Sequence, residues 1–188
     1  MPMPPIILAS SSPRRRDLLA EAGVSFRVEP SAGEEIHDLE IPAAELTESN
    51  ARSKAIEVSV RFPDDLVLGA DTLVVVDDHP LGKPADLAEA AAMLERLSGR
   101  SHEVVTGVCL ARGGTVVECF HVVTMVSFGV LDADTVARYH GLVDPLDKAG
   151  AYAIQECAEL LGAEVEGSLA NVIGLPVEEV VRKLAARG

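Results

Sequence analysis

Short apolar runs alternate with stretches of helical spacing along the first half of the chain, and residues that favour turns or helix starts separate them. Ser12 followed by Pro13 predicts a helix start, because a hydroxyl cap and a proline at the first position both suit one. Pro42 and Asp86 mark two further starts. The pattern predicts strands at residues 6–9 and 26–30, a buried apolar run at 66–76, and helices at 13–23, from 42 to about 61 and from 86 to about 99.

The second half of the chain begins with two long segments that are rich in apolar residues. Residues 103–111 and 115–128 flank Gly113 and Gly114, which predicts a β-hairpin. The remaining predicted elements are an acidic loop at 31–41, a turn at 77–80, a helix at 133–140, shorter strands up to about residue 173 and a last helix opened by Pro176. Alternation early and a hairpin late predict an α/β fold, with a mixed twisted sheet flanked by helices, in a single domain over residues 1–188.

The charge of the chain narrows the classes of partner. Its formal net charge is −14, so a nucleic-acid polymer would be repelled, whereas a small anion could bind if the few cations converge on one pocket. No apolar run approaches the roughly 20 residues that cross a bilayer. Residues 1–5 lack the basic and apolar regions of a signal peptide. We therefore expect a cytoplasmic protein with no membrane partner.

Several kinds of site have no counterpart in the sequence. The three cysteines, Cys109, Cys119 and Cys157, are scattered without metal-ligand spacing, and we interpret them as reduced core thiols. The histidines form no pair with metal spacing, so a zinc site is not expected. No Gly-x-x-x-x-Gly-Lys-Ser/Thr loop is present, which argues against a P-loop ATPase.

The first candidate site is the basic start of the first predicted helix, residues 8–16. Arg14, Arg15 and Arg16 lie in its first turn, where the helix dipole favours negative charge. An anion at this position would explain them, since Ser10, Ser12 and backbone N–H groups could hold a phosphate together with one or two guanidinium groups. A solvated basic turn with an ordinary serine cap is the alternative.

The second candidate is Asp71, which interrupts the apolar run at residues 66–76. A carboxylate at the end of a buried strand is unfavourable unless a cation or a metal pairs with it. Ligands of open α/β sheets also gather at the carboxyl ends of strands. A turn or a helix cap would be the structural explanation, but the apolar residues 74–76 argue against a helix. We therefore interpret Asp71 as a functional residue.

The third signal is the sparing use of lysine. The chain has four lysines, and its other basic residues, apart from histidine, are arginines. Lysines retained in such a chain suggest a need for the compact ammonium group, although coding bias explains them equally well. Lys54, Lys83 and Lys148 lie near other candidate motifs, whereas Lys183 lies in the last helix and is interpreted as a solvated charge.

These segments together resemble the Maf family over nearly the full length of the chain. The matching motifs occur in one order: Leu-Ala-Ser-Ser-Ser-Pro-Arg-Arg from Leu8, Gly-Ala-Asp-Thr from Gly69, Gly-Lys-Pro from Gly82, Leu-Ser-Gly-Arg-Ser-His from Leu97, Val-Thr-Gly from Val105, Asp-Lys-Ala-Gly-Ala-Tyr-Ala-Ile-Gln from Asp147 and Asn-Val-Ile-Gly-Leu-Pro from Asn171. The resemblance implies a nucleoside triphosphate pyrophosphatase. It also implies two lobes around a central cleft, in a fold related to that of the inosine triphosphatases, and it favours a homodimer.

The resemblance also implies roles for individual residues. Asp71 would be the catalytic base, and Lys54 and Lys83 would face the phosphates. Arg14, Thr72 and Gln155 would select the base, and Ser10, Ser12, Arg15 and Lys148 would complete the substrate site. Glu35, with Asp71, would hold a divalent metal. Mg²⁺, or else Mn²⁺, suits these oxygen ligands.

The motif that ends at Gln155 is similar to the branch of the family that acts on dTTP and UTP. Glu156 departs from it, because a glycine is common there, and residues 167–171 lack the aromatics often found at that position. Two other functions stay open: a 7-methyl-GTP pyrophosphatase, and a nucleotide-binding regulator of septum formation that acts through a protein partner.

Overall fold

The computed structural model describes residues 5–38 and 40–187. Its strands are β1 (Ile6–Leu8), β2 (Phe26–Val28), β3 (Val67–Val76), β4 (His79–Leu81), β5 (Ser101–Arg112), β6 (Thr115–Ser127) and β7 (Glu164–Glu166). Its helices are α1 (Pro13–Glu21), α2 (Ala43–Arg61), α3 (Leu87–Leu97), α4 (Ala133–His140), α5 (Ala158–Leu161), α6 (Leu169–Ile173) and α7 (Val177–Ala185), with a 3₁₀ turn at Ala149–Ala151.

The strands of the described residues form one mixed sheet. Their order is β2-β1-β3-β5-β6-β7, and β4 pairs with β3 outside this path. β1 runs parallel to β2 and to β3, where Leu8 lies opposite Leu68. β4 runs antiparallel to β3, and β7 antiparallel to β6. The expected mixed sheet flanked by helices is confirmed.

The chain divides into two compact units, in agreement with the two lobes that the sequence implied. The first unit comprises the chain up to Thr72, Thr106–Val122 and the chain from Gly174. Its core joins β1, α2, β3 and the hairpin, and includes Ile7, Ala55 and Val67.

The second unit comprises Leu73–Val105 and Val123–Ile173. Its larger core is formed by α3, α4 and the parts of β3, β5 and β6 that belong to this unit, with Leu94 and Tyr139 completely buried. The long strands β3, β5 and β6 contribute residues to both units.

The helix starts agree with the caps expected from the sequence. The Ser12 hydroxyl accepts a hydrogen bond from the Arg15 N–H, and Pro13 is the first residue of α1. The Asp86 carboxylate accepts from the Glu89 N–H at 2.8 Å. The hairpin turns at Gly113 and Gly114, both at positive φ, as predicted. Caps and turns are recognisable in sequence because they depend on a few adjacent residues.

Two sequence-based expectations about secondary structure are wrong. The turn at residues 77–80 continues into β4, because Asp77 and Asp78 adopt positive φ and close a tight hairpin with β3. Instead of several short strands before residue 173, the chain forms the 3₁₀ turn, α5 and α6, with β7 as its one strand among the described residues. Apolar runs this short carry no period that separates strand from helix.

The expectation that all three cysteines are reduced core thiols is wrong as well. Cys109 on β5 and Cys119 on β6 form a disulfide, and Cys157 is free. The two paired residues face each other across the hairpin, a neighbour relation that sequence spacing does not reveal. Within residues 5–38 and 40–187, no helix is both long and apolar enough to cross a membrane.

Candidate active site

Asp71 lies within β3 in the first unit and is buried, at 8% exposure. The parallel pairing of β1 with β3 ends at Leu68, so Asp71 lies just beyond the carboxyl end of β1. Its Oδ1 accepts a hydrogen bond from Lys54 Nζ at 3.1 Å, and its Oδ2 accepts one from Asn50 Nδ2 at 3.0 Å. The buried carboxylate is therefore paired with a cation and an amide, as its burial requires.

α2 supplies both of these partners. Asn50 and Lys54 are four residues apart, so they lie on one face of the helix. Gly69 and Gly107 let this face approach the sheet: a Cβ on Gly69 would lie 2.3 Å from the Ala51 carbonyl oxygen, and one on Gly107 would lie 2.3 Å from the Thr47 carbonyl carbon. Two glycines thus set the distance between α2 and the strands that it covers.

Glu35 joins the same cluster from the loop that precedes α2. Its Oε1 lies 2.7 Å from Lys54 Nζ, so the ammonium sits between two carboxylates. Asn50 anchors the loop by accepting from the Ile36 N–H at 2.8 Å and donating to the Ile36 carbonyl at 3.0 Å. Asn50 therefore connects the loop that carries Glu35 to the Asp71 carboxylate.

The donor set of this cluster fits a hard divalent cation that binds together with a substrate. No group of three or more histidine, cysteine, aspartate or glutamate side chains suited to a metal occurs among the described residues. Mg²⁺ is commonly held by only one or two carboxylates and takes its other oxygens from water and substrate phosphates. Glu35 and Asp71 supply two such carboxylates, both directed at the Lys54 cation.

Arg15 on α1 connects three parts of the first unit. Its Nε donates to the Gly174 carbonyl at 2.8 Å, Nη1 to Ser10 Oγ at 3.3 Å and Nη2 to Thr72 Oγ1 at 3.1 Å. Burial lowers the pKa of the Arg15 guanidinium, and the negative charges of Asp71 and Glu35 oppose this effect. A guanidinium has five N–H groups, so these bonds fix the Arg15 side chain without using all of its donors.

Thr72 follows Asp71 on β3, and its hydroxyl contacts three other groups. Besides the Arg15 bond, its Oγ1 lies 2.9 Å from Thr106 Oγ1 and donates to the Gly174 carbonyl at 3.3 Å. Ser10 and Ser12 complete this end of the unit, where the Ser12 N–H donates to Ser10 Oγ at 3.2 Å. Arg14 is partly exposed on the first turn of α1, and Arg16 is exposed beside Asp17.

The second unit contains the remaining candidates. Lys83 is exposed in the loop after β4, and the Gly82 carbonyl before it accepts from the Gly150 N–H at 3.1 Å. Lys148 is buried, and its Nζ donates to the Asp144 carbonyl and to Asp147 Oδ1, both at 2.7 Å. Gln155 is exposed at a turn.

A buried aromatic cluster lies in the same unit. His102 Nε2 and the Tyr152 hydroxyl are 2.8 Å apart, and both rings pack edge-on against Phe128. Burial lowers the pKa of His102 to about 4 and raises that of Tyr152. Both side chains are therefore neutral near pH 7.

The sequence candidates fall into two groups. The first unit brings together Ser10, Ser12, Arg15, Glu35, Lys54, Asp71 and Thr72, and the second contains Lys83, Lys148 and Gln155. Roles for Asn50, Thr106 and the Gly174 carbonyl were not predicted from the sequence. Thr106 and Gly174 lie inside the family motifs, and Asn50 lies one helical turn before Lys54, which are the signals that could have identified them.

Known proteins resemble this chain in sequence and in fold. A dTTP/UTP pyrophosphatase of Symbiobacterium thermophilum is 49% identical, covering 99% of this chain and 95% of the relative. One of Akkermansia muciniphila is 45% identical, covering 99% and 98%. The solved structure of a HAM1 protein from Coxiella burnetii has 16% identity and a TM-score of 0.59 over 98% of this chain and 100% of its own, which shows a shared fold. The model of the family described as Maf-like protein matches residues 5–187, and the chain therefore belongs to the Maf family.

Proposed function

We propose that this chain hydrolyses dTTP and UTP to the nucleoside monophosphate and pyrophosphate, as a house-cleaning enzyme of nucleotide metabolism. The observation that carries the proposal is the buried Asp71 carboxylate, held between Lys54 and Asn50 and next to Glu35. Relatives that share 42–49% of its residues are named dTTP/UTP pyrophosphatases, which supports the same substrates here.

Asp71 acts as the base that orients and deprotonates the attacking water. Each of its oxygens accepts one of the two described hydrogen bonds and retains a lone pair for the water. The water oxygen bonds to the α-phosphorus, and the bond from this phosphorus to the α–β bridging oxygen breaks. Pyrophosphate leaves with that oxygen, and the nucleoside monophosphate keeps the oxygen of water.

Glu35 and Asp71 would hold the divalent metal of this reaction, Mg²⁺ or Mn²⁺. When bound, the metal offsets the negative charge that grows on the departing pyrophosphate. Lys54 already supplies one positive charge between these carboxylates, so its ammonium would add to the positive charge that a bound metal supplies there.

The remaining cations bind the triphosphate. Lys83 is exposed and has the compact charge that suits a phosphate oxygen. Arg14, Ser10 and Ser12 lie at the start of α1, where backbone N–H groups and the helix dipole also favour an anion. Lys148 donates to the Asp144 carbonyl and to Asp147 Oδ1. We therefore assign it two roles, which are to hold this loop in shape and to add positive charge to the substrate site. Arg15 holds Thr72, Ser10 and the Gly174 carbonyl in place around the substrate.

Gln155 and Thr72 select the base. A glutamine amide can donate to O4 and accept from N3–H of uracil or thymine at the same time. Cytosine presents the reverse edge, so discrimination requires an amide with a fixed orientation. The exposure of Gln155 on a turn supports this role, because its amide is accessible to a ligand.

A nucleotide panel tests the proposal. Pyrophosphate release is measured from dTTP, UTP, CTP, ATP, GTP and 7-methyl-GTP with Mg²⁺ or Mn²⁺. Release from dTTP and UTP at the highest kcat/KM is the expected result. Preference for 7-methyl-GTP would contradict the base assignment, and nucleotide binding without any release would favour a regulator of septum formation instead.

Further properties are proposed from the resemblance to the family, which favours a dimer, and from the charge and composition of the chain. We propose a homodimer in the cytoplasm, which acts on small nucleotides and not on nucleic-acid polymers. The molar mass in solution tests the dimer, and fractionation of cells that express the tagged chain tests the location.

A further inference from the structure

Gln155 lies on a turn whose first residue is Ala153. The Glu156 N–H donates to the Ala153 carbonyl at 3.1 Å, which closes a four-residue turn with Ile154 and Gln155 at its centre. The point from which the Gln155 side chain leaves the turn therefore depends on the position of the Ala153 peptide groups.

One buried hydroxyl holds both of these groups. Tyr139, near the end of α4, is fully buried, and its hydroxyl accepts from the Ala153 N–H at 3.0 Å. The same hydroxyl donates to the Ala153 carbonyl at 3.1 Å, so this oxygen receives both the Tyr139 proton and the N–H that closes the turn. One hydroxyl, acting as donor and as acceptor, therefore holds the two peptide groups on either side of the Ala153 Cα.

The residues that lead into the turn are held from the same helix and from β5. Ala151 has a positive φ of 63°, a strained conformation for a residue with a side chain. Its carbonyl lies 3.1 Å from His140 Nε2, and the Tyr152 hydroxyl bonds to His102 Nε2. Each of the three residues from Ala151 to Ala153 therefore has a fixed partner.

We propose that Tyr139 is a positioning residue that sets the orientation of Gln155 and, through it, the discrimination between uracil and cytosine. This inference rests on the proposed function, and it extends base selection from the turn to a buried residue on α4 that acts through the backbone. A shifted turn would move the amide relative to the base edge, so the paired contacts to O4 and N3–H of uracil would lose their alignment and their advantage over cytosine.

The substitution Tyr139→Phe tests the proposal, because it removes the hydroxyl and keeps the ring in the core. The ratio of kcat/KM for UTP to that for CTP should fall by roughly three- to tenfold, in proportion to the hydrogen bonds lost. Hydrogen exchange of the backbone amides should become faster at residues 151–157. The wild-type ratio, measured in parallel, gives the reference.

Ser59→Ala is the matched control. Ser59 is also buried, and its hydroxyl likewise donates to a backbone carbonyl, that of Ile56, and accepts a backbone N–H, that of Gly114. It belongs to the first unit, whereas Gln155 belongs to the second. This variant should lose a comparable amount of thermal stability and keep the wild-type UTP/CTP ratio.

The outcomes separate this inference from the proposed function. If the wild type prefers UTP and Tyr139→Phe keeps that ratio within about twofold, the positioning role is overturned, whatever the exchange rates. A fall of the ratio in both Tyr139→Phe and Ser59→Ala overturns it as well, because the effect would then be general. A wild type that releases no pyrophosphate from UTP or dTTP overturns the proposed function and this inference with it.

Discussion

At the scale of single residues, the candidate site depends on which partners hold each charged group in place. Asp71 is buried with one cation and one amide on its two oxygens. Asp71 could be identified from the sequence because a carboxylate inside an apolar run is unfavourable unless a cation or a hydrogen-bond donor pairs with it. Asn50 was not identifiable in this way, because an asparagine on a helix has many ordinary uses and only the fold brings it to Asp71.

Replacement of Asp71 tests the chemical step directly. Asp71→Asn keeps the shape of the side chain and removes the negative charge, so we expect turnover of UTP to fall by roughly a hundredfold or more. The new amide nitrogen would face one of the two donors, Asn50 Nδ2 or Lys54 Nζ, and lose that hydrogen bond. We therefore also expect a modest fall in melting temperature. Pyrophosphate release per folded molecule is the measurement, and near-normal release would remove Asp71 from the role of base.

Gln155→Ala tests the base-reading group itself. The amide is lost while the turn from Ala153 to Glu156 keeps its backbone bond. We expect the UTP/CTP ratio of kcat/KM to fall by roughly tenfold or more, because cytosine is no longer rejected by a mismatched amide. The ratio is the decisive quantity: absolute rates that drop equally for both nucleotides would assign Gln155 to general binding and contradict base selection.

At the scale of elements, the contact between α2 and the sheet positions the groups that we propose for catalysis. The starts of α1, α2 and α3 could be predicted from the sequence, because caps and prolines act within a few residues of the chain. The elements between residues 141 and 173 could not, because Cys157 and Gly162 adopt left-handed conformations that break this stretch into short turns. Such turns are selected by packing against the core of the second unit, and local sequence carries no period for them.

Gly107→Ala tests whether this contact controls activity. A Cβ at Gly107 would lie 2.3–2.5 Å from the backbone of Thr47 and Glu48, so α2 must move and carry Asn50 and Lys54 with it. We expect a loss of about 1–3 kcal/mol in the free energy of unfolding and a lower turnover per folded molecule.

Gly129→Ala is the control for this variant, because a Cβ there meets its nearest atom at an ordinary 3.6 Å. Chemical denaturation and pyrophosphate release measure the two effects. Full activity in folded Gly107→Ala would mean that the spacing between helix and sheet serves stability alone.

At the scale of the whole molecule, stability depends on a neutral histidine. The pKa of His102 is lowered by burial from 6.5 to about 4, so the unfolded chain takes up a proton at this residue at a higher pH than the folded protein does. Its contribution is fully present above pH 6.5 and is lost as the pH falls towards 4. The difference in pKa corresponds to about 3 kcal/mol at the low end of this range.

His102→Gln tests this linkage, since a glutamine does not titrate and can still reach the Tyr152 hydroxyl. The free energy of unfolding is measured for both proteins from pH 7 to pH 4. We expect the wild type to lose more stability than the variant over this interval, although the carboxylates contribute equally to both. Parallel curves for the two proteins would contradict a buried neutral His102.

The first unit consists of three separate stretches of chain, and this arrangement has a consequence for biosynthesis. Arg15 is made early, but the Gly174 carbonyl that it binds is 159 residues further along. A ribosome must therefore translate the message at least as far as the codon of Gly174 before the groups around Thr72 can be fixed in place. A chain that stops short of Gly174 lacks this anchor, so we expect premature termination before that residue to yield an inactive fragment.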